Sequence, residues 1–242
     1  MQDGLNYEEF NIFLNPTNTT FRFDEFTDKS IISYFENFRF IRNINAVHIH
    51  HTWRPNYSNF NGSNHQALQS AMQRFHINAG FGDIAQHVTV FPDGKILLGR
   101  DFNSTPASIS GRNTGAFCIE QVGDFDKGKD TITGPQLRST IAITRWLTQR
   151  KKAQIVYHNE HSPKTCPGSG FMSKEQFEAI VKDDLTGHWA EQDFRKFIEL
   201  GIIGGFPDGT YRPNEPMTRA QFVAATSKLV KVLGESYDRF KK

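Results

Sequence analysis

Residues 158–168 read HNEHSPKTCPG and bring His158, His161, Lys164 and Cys166 close together in the sequence. Imidazole and thiolate groups are ligands that zinc prefers in proteins. A cysteine near a histidine can also act as a thiol nucleophile. The stretch would equally suit an ordinary surface loop, because Pro-Gly is typical of turns. Metal binding, thiol catalysis and a loop without chemistry are therefore all open at this point.

A second histidine-rich stretch, VHIHHT at 47–52, ends an alternating segment that predicts a β-strand. Alternation along a strand places His48 and His50 on one face and Val47, Ile49 and His51 on the other. A short apolar run before His158 repeats this design. One histidine from each strand and Cys166 would form a set of three zinc ligands. Three protein ligands leave the fourth position of zinc open to water, which is typical of a catalytic site.

Two other interpretations compete with a zinc site. A thiol enzyme needs a cysteine with a lowered pKa, commonly at the start of a helix. Cys166 stands before Pro167 and Gly168, which favours a loop instead. Alternatively, the histidines are ordinary polar residues, since nine histidines in 242 residues are not unusual. The spacing alone does not choose between these interpretations.

Glu120 and Lys164 are two further candidates for chemistry. Glu120 lies between Ile119 and Gln121 in an apolar segment, where a carboxylate costs free energy unless it is paired or faces a polar cleft. It is therefore either a structural ion-pair partner or a functional acid or base. Lys164 precedes Cys166 by two residues, so its ammonium group would lie near a bound metal. Without a metal site, it would be an ordinary solvated lysine.

Strands and helices alternate over most of the chain and would position these residues. The patterns predict strands over 44–52, 115–125 and 153–160, a hairpin over 83–101, and helices over 63–80, 133–151 and 173–185. This order predicts an α/β fold with a mixed β-sheet flanked by helices. Residues 1–40 are rich in phenylalanine and turn signals, and we interpret them as an irregular N-terminal extension of a domain that spans 1–183.

The sequence changes in character near residue 184. Residues 184–242 predict a helix, a glycine-rich loop, a Pro-Asp-Gly turn and a second helix. This segment is too short to bury a large core of its own. We therefore expect a separate, small helical module with a tail.

Composition excludes several classes of protein. The net charge is +2 and there is no long run of lysine or arginine, so we expect no nucleic-acid partner. Two cysteines do not make a disulfide framework. No window holds the roughly 18 apolar residues that a membrane span needs. The first residues lack a basic segment followed by an apolar one, so we expect synthesis in the cytoplasm without a signal peptide.

Four stretches resemble the zinc-dependent N-acetylmuramoyl-L-alanine amidases, the family of amidase type 2 and peptidoglycan-recognition proteins. The stretches are VHIHHT, GFGDIAQHVTVFPDGKILLGRD, CIEQVGDF and HNEHSPKTCPG, and they occur in the family's order within residues 40–182. The resemblance implies the fold of these amidases. It also implies a Zn²⁺ ion held by His50, His158 and Cys166.

The same resemblance implies roles for the remaining candidates. Glu120 matches a glutamate that serves some members as catalytic base, and Lys164 matches a lysine that would stabilise the reacting oxygen. Other members carry a tyrosine where this chain has Gln86, which favours Glu120 as the base. The implied reaction is hydrolysis of the amide bond between N-acetylmuramic acid and L-alanine in bacterial peptidoglycan. The alternative is a non-catalytic peptidoglycan-binding protein, because some peptidoglycan-recognition domains lose the zinc ligands and only bind.

Residues 185–235 resemble a surface-layer homology (SLH) module, mainly through GHWAEQDFRKFIELGIIGGFPDGTYRPNEPMTRAQF. Such modules commonly bind secondary cell-wall polysaccharide, which implies anchoring to the bacterial cell wall, as in an endolysin or an autolysin. Arg219 matches the family's binding arginine, although it could instead brace the last helix, and Trp189 is a second candidate for polysaccharide binding. The family usually presents three modules together. A single module therefore implies either self-association through the SLH module or weak binding.

Overall fold

The computed structural model describes residues 23–182, 184–185, 188–206 and 210–240, with side chains described as far as residue 234. The chain divides into two compact units, Met1–Val181 and Lys182–Lys242. The first unit contains the β-sheet and the second is helical.

A six-stranded mixed sheet forms the centre of the first unit. Its strands are β1 (Glu25–Phe26), β2 (Ala46–His51), β3 (Val88–Val90), β4 (Ile96–Leu98), β5 (Ala116–Gln121) and β6 (Gln154–Tyr157). Their order across the sheet is β1-β4-β3-β5-β2-β6. β4 pairs antiparallel with β1 and β3, whereas β3, β5, β2 and β6 run parallel to one another. The predicted hairpin and the predicted mixed sheet are confirmed.

Six α-helices occur in the described residues. They are α1 (Asp28–Asn37), α2 (His65–Asn78), α3 (Gly134–Arg150), α4 (Lys174–Val181), α5 (Glu191–Glu199) and α6 (Arg219–Phe240). None of these helices combines the length and the apolar character that crossing a membrane requires. α4 ends four residues before the predicted end at 185. Beyond it, the carboxylate of Asp184 accepts the backbone N–H groups of Tyr211 and Arg212, so this part of the chain belongs to the second unit.

The interpretation of residues 1–40 as an irregular extension is wrong for the described part, because α1 forms there. Thr27 begins the helix with a capping box, in which its hydroxyl accepts the N–H of Ser30 and the Ser30 hydroxyl accepts the N–H of Thr27. Ile31 and Phe35, one turn apart, are buried in the main core. The turn signals that suggested an irregular segment lie before residue 23, outside the described residues.

The sheet separates two hydrophobic cores. On one face, Val47 and Ile49 of β2 belong to a large core that also contains residues of α1 and α3. The rings of Phe35 and Trp146 are 4.9 Å apart in this core. On the other face, α2 contributes Leu68 to a smaller core. The smaller core leaves part of that face of the sheet uncovered, and polar residues occupy it.

The second unit has a small described core, as its length predicts. Its buried apolar residues are Leu185, Ala190 and Ile202. Several large apolar side chains are exposed instead: Trp189, Phe197, Leu200, Met217, Phe222, Val223, Val230 and Leu233. Four of them lie on α6, so this helix shows an uncovered apolar surface within the described residues.

Candidate metal centre and catalytic cleft

His50, His158 and Cys166 come together at one edge of the sheet. β2 and β6 are parallel neighbours, so the carboxyl ends of both strands meet at this edge. His50 lies near the end of β2, and His158 follows β6 directly, as the first residue of a 3₁₀ turn, His158–Glu160. The ring centroids of the two histidines are 4.7 Å apart. One nitrogen of each histidine and the Cys166 sulfur all lie within 4.8 Å of one another.

Backbone contacts hold Cys166 against the two strands. Its carbonyl oxygen accepts the N–H of Asn159 at 2.8 Å, and its Sγ accepts the N–H of His51 at 3.4 Å. Burial, together with the charge of Glu120, raises the pKa of the Cys166 thiol well above its ordinary value. A thiol nucleophile requires the opposite shift, so the site does not favour thiol catalysis. A metal ion bound to the sulfur would supply the positive charge that a buried thiolate needs.

The loop that carries Cys166 is attached to the segment after β5. Asp126 accepts hydrogen bonds from the backbone N–H and the hydroxyl of Ser169, at 2.9 and 3.0 Å. Gly168 has φ of +121°, and a Cβ there would lie 2.4 Å from the carbonyl oxygen of Phe125. Only glycine permits this approach. The Pro-Gly pair seen in the sequence thus serves to bring the thiol over the sheet edge.

The geometry of the three side chains fits a tetrahedral zinc ion. Typical Zn–S and Zn–N distances place a ligand sulfur and a ligand nitrogen about 3.6 Å apart. The Cys166 Sγ and the His50 Nδ1 are 3.4 Å apart. The zinc-ligand roles stay a prediction that this geometry supports.

Glu120 lies beside the candidate metal centre. In the parallel pair β2–β5 its Cα is the register partner of His50, so the two side chains project from the same face of neighbouring strands. Glu120 and Lys164 both line a cleft of about 750 Å³ that also contains the three candidate ligands. Burial raises the pKa of Glu120 to about 8 and lowers the pKa of Lys164. A carboxyl group with a pKa near neutrality can both accept and donate a proton at working pH.

We expect the unfolding free energy of the metal-free protein to fall as the pH rises from 6.5 to 8, because of Glu120. The carboxyl group keeps its proton in the folded chain up to about pH 8, whereas its ordinary pKa is 4.5. The folded state therefore binds one more proton than the unfolded state, and the unfolding free energy falls by up to about 1.4 kcal/mol per pH unit. Buried His76 and His87, with pKa values lowered from 6.5 to about 4 and 3, act in the opposite direction and mainly below this window.

Chemical denaturation of chelator-treated protein at several pH values checks this expectation. Glu120→Gln has no titratable group at this position, so its stability should stay nearly constant where that of the wild type falls. Parallel curves for the two proteins would show that Glu120 ionises at an ordinary pH in the folded chain, and that its surroundings are more polar than the structure indicates.

Comparison with known proteins places this cleft in a family. The model of the N-acetylmuramoyl-L-alanine amidase family matches residues 41–169, just over half of the chain. The chain belongs to the N-acetylmuramoyl-L-alanine amidase family. A second family model, that of the S-layer homology domain, matches residues 183–223. Both resemblances stated from the sequence are confirmed.

Solved structures and curated relatives resemble different parts of this amidase-family chain. The peptidoglycan-recognition protein PGRP-LB of Drosophila is 21% identical, covers 60% of this chain and 84% of its own, and has a TM-score of 0.50, which shows the shared fold. The amidase LysC from Clostridium intestinale URNW is 27% identical over 58% of this chain and 86% of its own, with a TM-score of 0.49. The cellulosome-anchoring protein of Acetivibrio thermocellus is 39% identical over 54 residues, 22% of this chain. The S-layer protein EA1 of Bacillus anthracis is 40% identical over 48 residues, 20% of this chain. These matches span only 12% and 6% of the two curated relatives.

Gln86, at the position where the family resemblance predicts a tyrosine, does not line the cleft. Its side chain is fully buried, and its Nε2 donates to the hydroxyl of Thr89 at 2.9 Å. An amide cannot exchange a proton as a phenol can. Gln86 therefore offers no alternative base, and the base role of Glu120 stays a prediction.

Sequence reasoning missed one wall of the amidase cleft. Met72, Phe75 and His76 of α2 line it together with Ala79, the residue that ends the helix, at the i, i+3, i+4, i+7 spacing of one helix face. That spacing predicted a helix, but it did not distinguish a face that covers a core from one that lines a cleft.

A hydroxyl in the same cleft was also missed. Ser108 lines it and lies 2.7 Å from the Nδ1 of His48, a pair that no local sequence signal indicates.

The two residues predicted to bind polysaccharide belong to the SLH unit of this family member. Trp189 is 88% exposed, and Arg219 is the exposed first residue of α6. Exposure makes both accessible to a ligand. Their binding role stays a prediction.

Proposed function

We propose that the first unit is a zinc-dependent peptidoglycan amidase that hydrolyses the amide bond between N-acetylmuramic acid and L-alanine. The observation that carries the proposal is the convergence of His50, His158 and Cys166 beside Glu120 in one cleft. The three residues would hold the metal ion. Bound zinc supplies a Lewis acid that polarises a carbonyl oxygen and activates water near neutral pH.

Glu120 and Lys164 would perform the remaining chemistry. The Glu120 carboxylate takes a proton from the attacking water and passes it to the nitrogen of the leaving L-alanine. In the absence of metal, burial raises the pKa of Glu120 to about 8, and the positive charge of a bound zinc ion would lower it towards neutral pH, where both transfers are accessible. The ammonium group of Lys164 stabilises the negative charge that develops on the carbonyl oxygen. Identification of the bond cut in purified peptidoglycan tests the proposal.

A non-catalytic peptidoglycan-binding protein is the second candidate function. Loss of a ligand or of the base would favour it, but this chain has all three candidate ligands and a carboxyl group beside them. A protein that only binds has no need to bury Glu120, whose burial raises its pKa and costs stability. The site therefore favours catalysis.

We propose that the second unit binds secondary cell-wall polysaccharide and associates the enzyme with the cell wall. Arg219 suits an anionic polysaccharide because its planar guanidinium pairs with carboxylates, and Trp189 presents an exposed aromatic surface. The apolar side chains exposed on α6, such as Phe222 and Leu233, would pack against SLH units of other copies of the chain. Association of copies would also supply the avidity that one module lacks.

Removing the second unit should separate hydrolysis from wall binding. A chain that ends at Asp183 keeps every proposed ligand and catalytic residue, so it should hydrolyse soluble muropeptide at a rate close to that of the full chain. It should cosediment less with cell walls than the full chain does. In analytical ultracentrifugation it should be monomeric, whereas the full chain should self-associate.

Arg219→Ala provides the sharper test of wall binding in the full chain. Lys228→Ala is the matched control, because it removes the same charge from the same helix. The proposal predicts that only Arg219→Ala lowers wall binding markedly. Equal losses would indicate a nonspecific effect of charge, and no effect of either substitution or of truncation would contradict the anchoring role.

A further inference from the structure

Trp53 lines the cleft in a backbone conformation that large side chains seldom adopt. Its φ is +55°, in the left-handed region. Lys152 has a similar φ of +59°, but it follows the end of α3, where left-handed residues commonly terminate helices. Trp53 instead follows the end of β2. Strain of this kind persists where the surrounding structure enforces it, and it concentrates at functional sites.

Hydrogen bonds enforce this conformation. The Trp53 N–H donates to the carbonyl oxygen of Gly123 at 3.0 Å, and the Gly123 N–H donates to the Thr52 hydroxyl at 2.9 Å. The Arg54 guanidinium lies over the indole, with its carbon 5.6 Å from the ring centroid. Even so, 36% of the Trp53 surface stays exposed. The backbone that carries the indole is thus fixed before a ligand arrives, which reduces the entropy lost on binding.

We infer that Trp53 is a saccharide-binding platform, on which a pyranose ring of the glycan strand stacks while the amide bond is cut. The inference rests on the proposed function. An exposed aromatic ring gains free energy when a flat apolar surface covers it. The C–H groups of a pyranose present such a face, whereas the stem peptide begins with alanine followed by an acidic residue. Arg54 covers one face of the indole, so the sugar would use the other.

The closeness of Trp53 to His50 in the sequence favours the sugar, rather than the distal part of the peptide, as the group that contacts Trp53. Trp53 is three residues beyond His50, so their Cα atoms lie within about 10 Å. In the substrate, one carbon and one ether oxygen separate the scissile carbonyl from the muramic acid ring. A carbonyl held at the metal centre therefore brings this sugar within reach of Trp53. The apolar wall formed by Met72 of α2 and by Ala79 just beyond its end remains for the peptide.

Two soluble substrates with the same peptide test the inference: one carries the GlcNAc–MurNAc disaccharide, and the other carries only the lactoyl group. Trp53→Leu keeps an apolar side chain but loses the aromatic face. It should raise the ratio of KM for the disaccharide substrate to KM for the lactoyl substrate about tenfold, the size of a good aromatic contact. Trp53→Phe should restore most of the wild-type ratio. An unchanged ratio in Trp53→Leu would overturn the inference.

Direct binding gives a readout that does not require hydrolysis. The peptide-free disaccharide should change the tryptophan fluorescence of the wild type. The change should be much smaller in Trp53→Phe, whose fluorescence comes from Trp146 and Trp189 alone. An equal response in both proteins would also overturn the inference. If the wild type bound the disaccharide but hydrolysed neither substrate, the proposed function would fail while the saccharide platform would stand.

Discussion

Replacing Cys166 by serine should remove the bound zinc and lower hydrolysis by about 10³-fold or more. Cys166 supplies the only sulfur of the three-residue cluster, and its Sγ lies 3.4 Å from the His50 Nδ1. A serine hydroxyl is a much poorer zinc ligand than a thiolate. A bound metal contributes several kcal/mol to stabilisation of the transition state, and about 4 kcal/mol corresponds to 10³ in rate. Metal analysis and hydrolysis of soluble muropeptide check both losses on the same sample.

Cys118 provides the matched control for this substitution. It is the second cysteine of the chain, it is buried, and it lines the same cleft outside the ligand cluster. Cys118→Ala should keep one zinc per chain and most of the activity. A thiol enzyme would behave differently, because alkylation would inactivate it and added zinc would neither prevent nor reverse the loss. Full activity of Cys166→Ser without bound zinc would refute the metal site.

The second large effect is expected for Glu120→Gln, which should lower kcat by roughly 10² or more, the usual contribution of general acid–base catalysis. The amide has the shape of the carboxyl group but cannot take up a proton from water. Because Glu120 is not in the ligand cluster, the variant should bind zinc normally. Metal content, the circular dichroism spectrum and kcat measured together distinguish loss of proton transfer from loss of the site.

Glu160→Gln serves as the control for Glu120→Gln. Glu160 follows His158 by two residues but forms an ion pair with Lys174, at 2.7 Å, and does not line the cleft. Its substitution should change kcat by less than about threefold, because surface substitutions usually alter stability by only about 0.5 kcal/mol and the amide oxygen can still accept the N–H of Tyr157. Wild-type turnover of Glu120→Gln would mean that Glu120 is structural and that another group acts as the base.

Local sequence patterns predicted the secondary structure correctly where the spacing of apolar residues and the residues typical of turns indicate the same element. Alternation in β2 placed His50 opposite the core-facing Ile49, and Pro92-Asp93-Gly94 predicted the turn between β3 and β4. The helix α1 was not predicted, because its capping box at Thr27 lies among phenylalanines and turn residues that indicated an irregular segment. The composition of the segment therefore obscured the capping box, and the helix is stabilised by the burial of Ile31 and Phe35.

The sequence predicted which residues form the candidate site, but it did not predict how they are positioned relative to one another. Spacing identified His158 and Cys166 as candidate ligands, and the family resemblance selected His50 from its neighbours. The register that sets Glu120 beside His50 depends on which strands pair, and strand order is a long-range property. Trp53 gave no local signal, because its left-handed conformation depends on a hydrogen bond to Gly123, seventy residues later in the chain.

The bond that the zinc-loaded full chain cuts in purified peptidoglycan tests the central claim most directly. The digest should gain new N-terminal L-alanine and should gain no reducing ends, since only the amide bond to the lactyl group of N-acetylmuramic acid is broken. Chelation should stop the release, and added zinc should restore it. New reducing ends, amino termini on residues other than L-alanine, or no release by zinc-loaded protein would contradict the account.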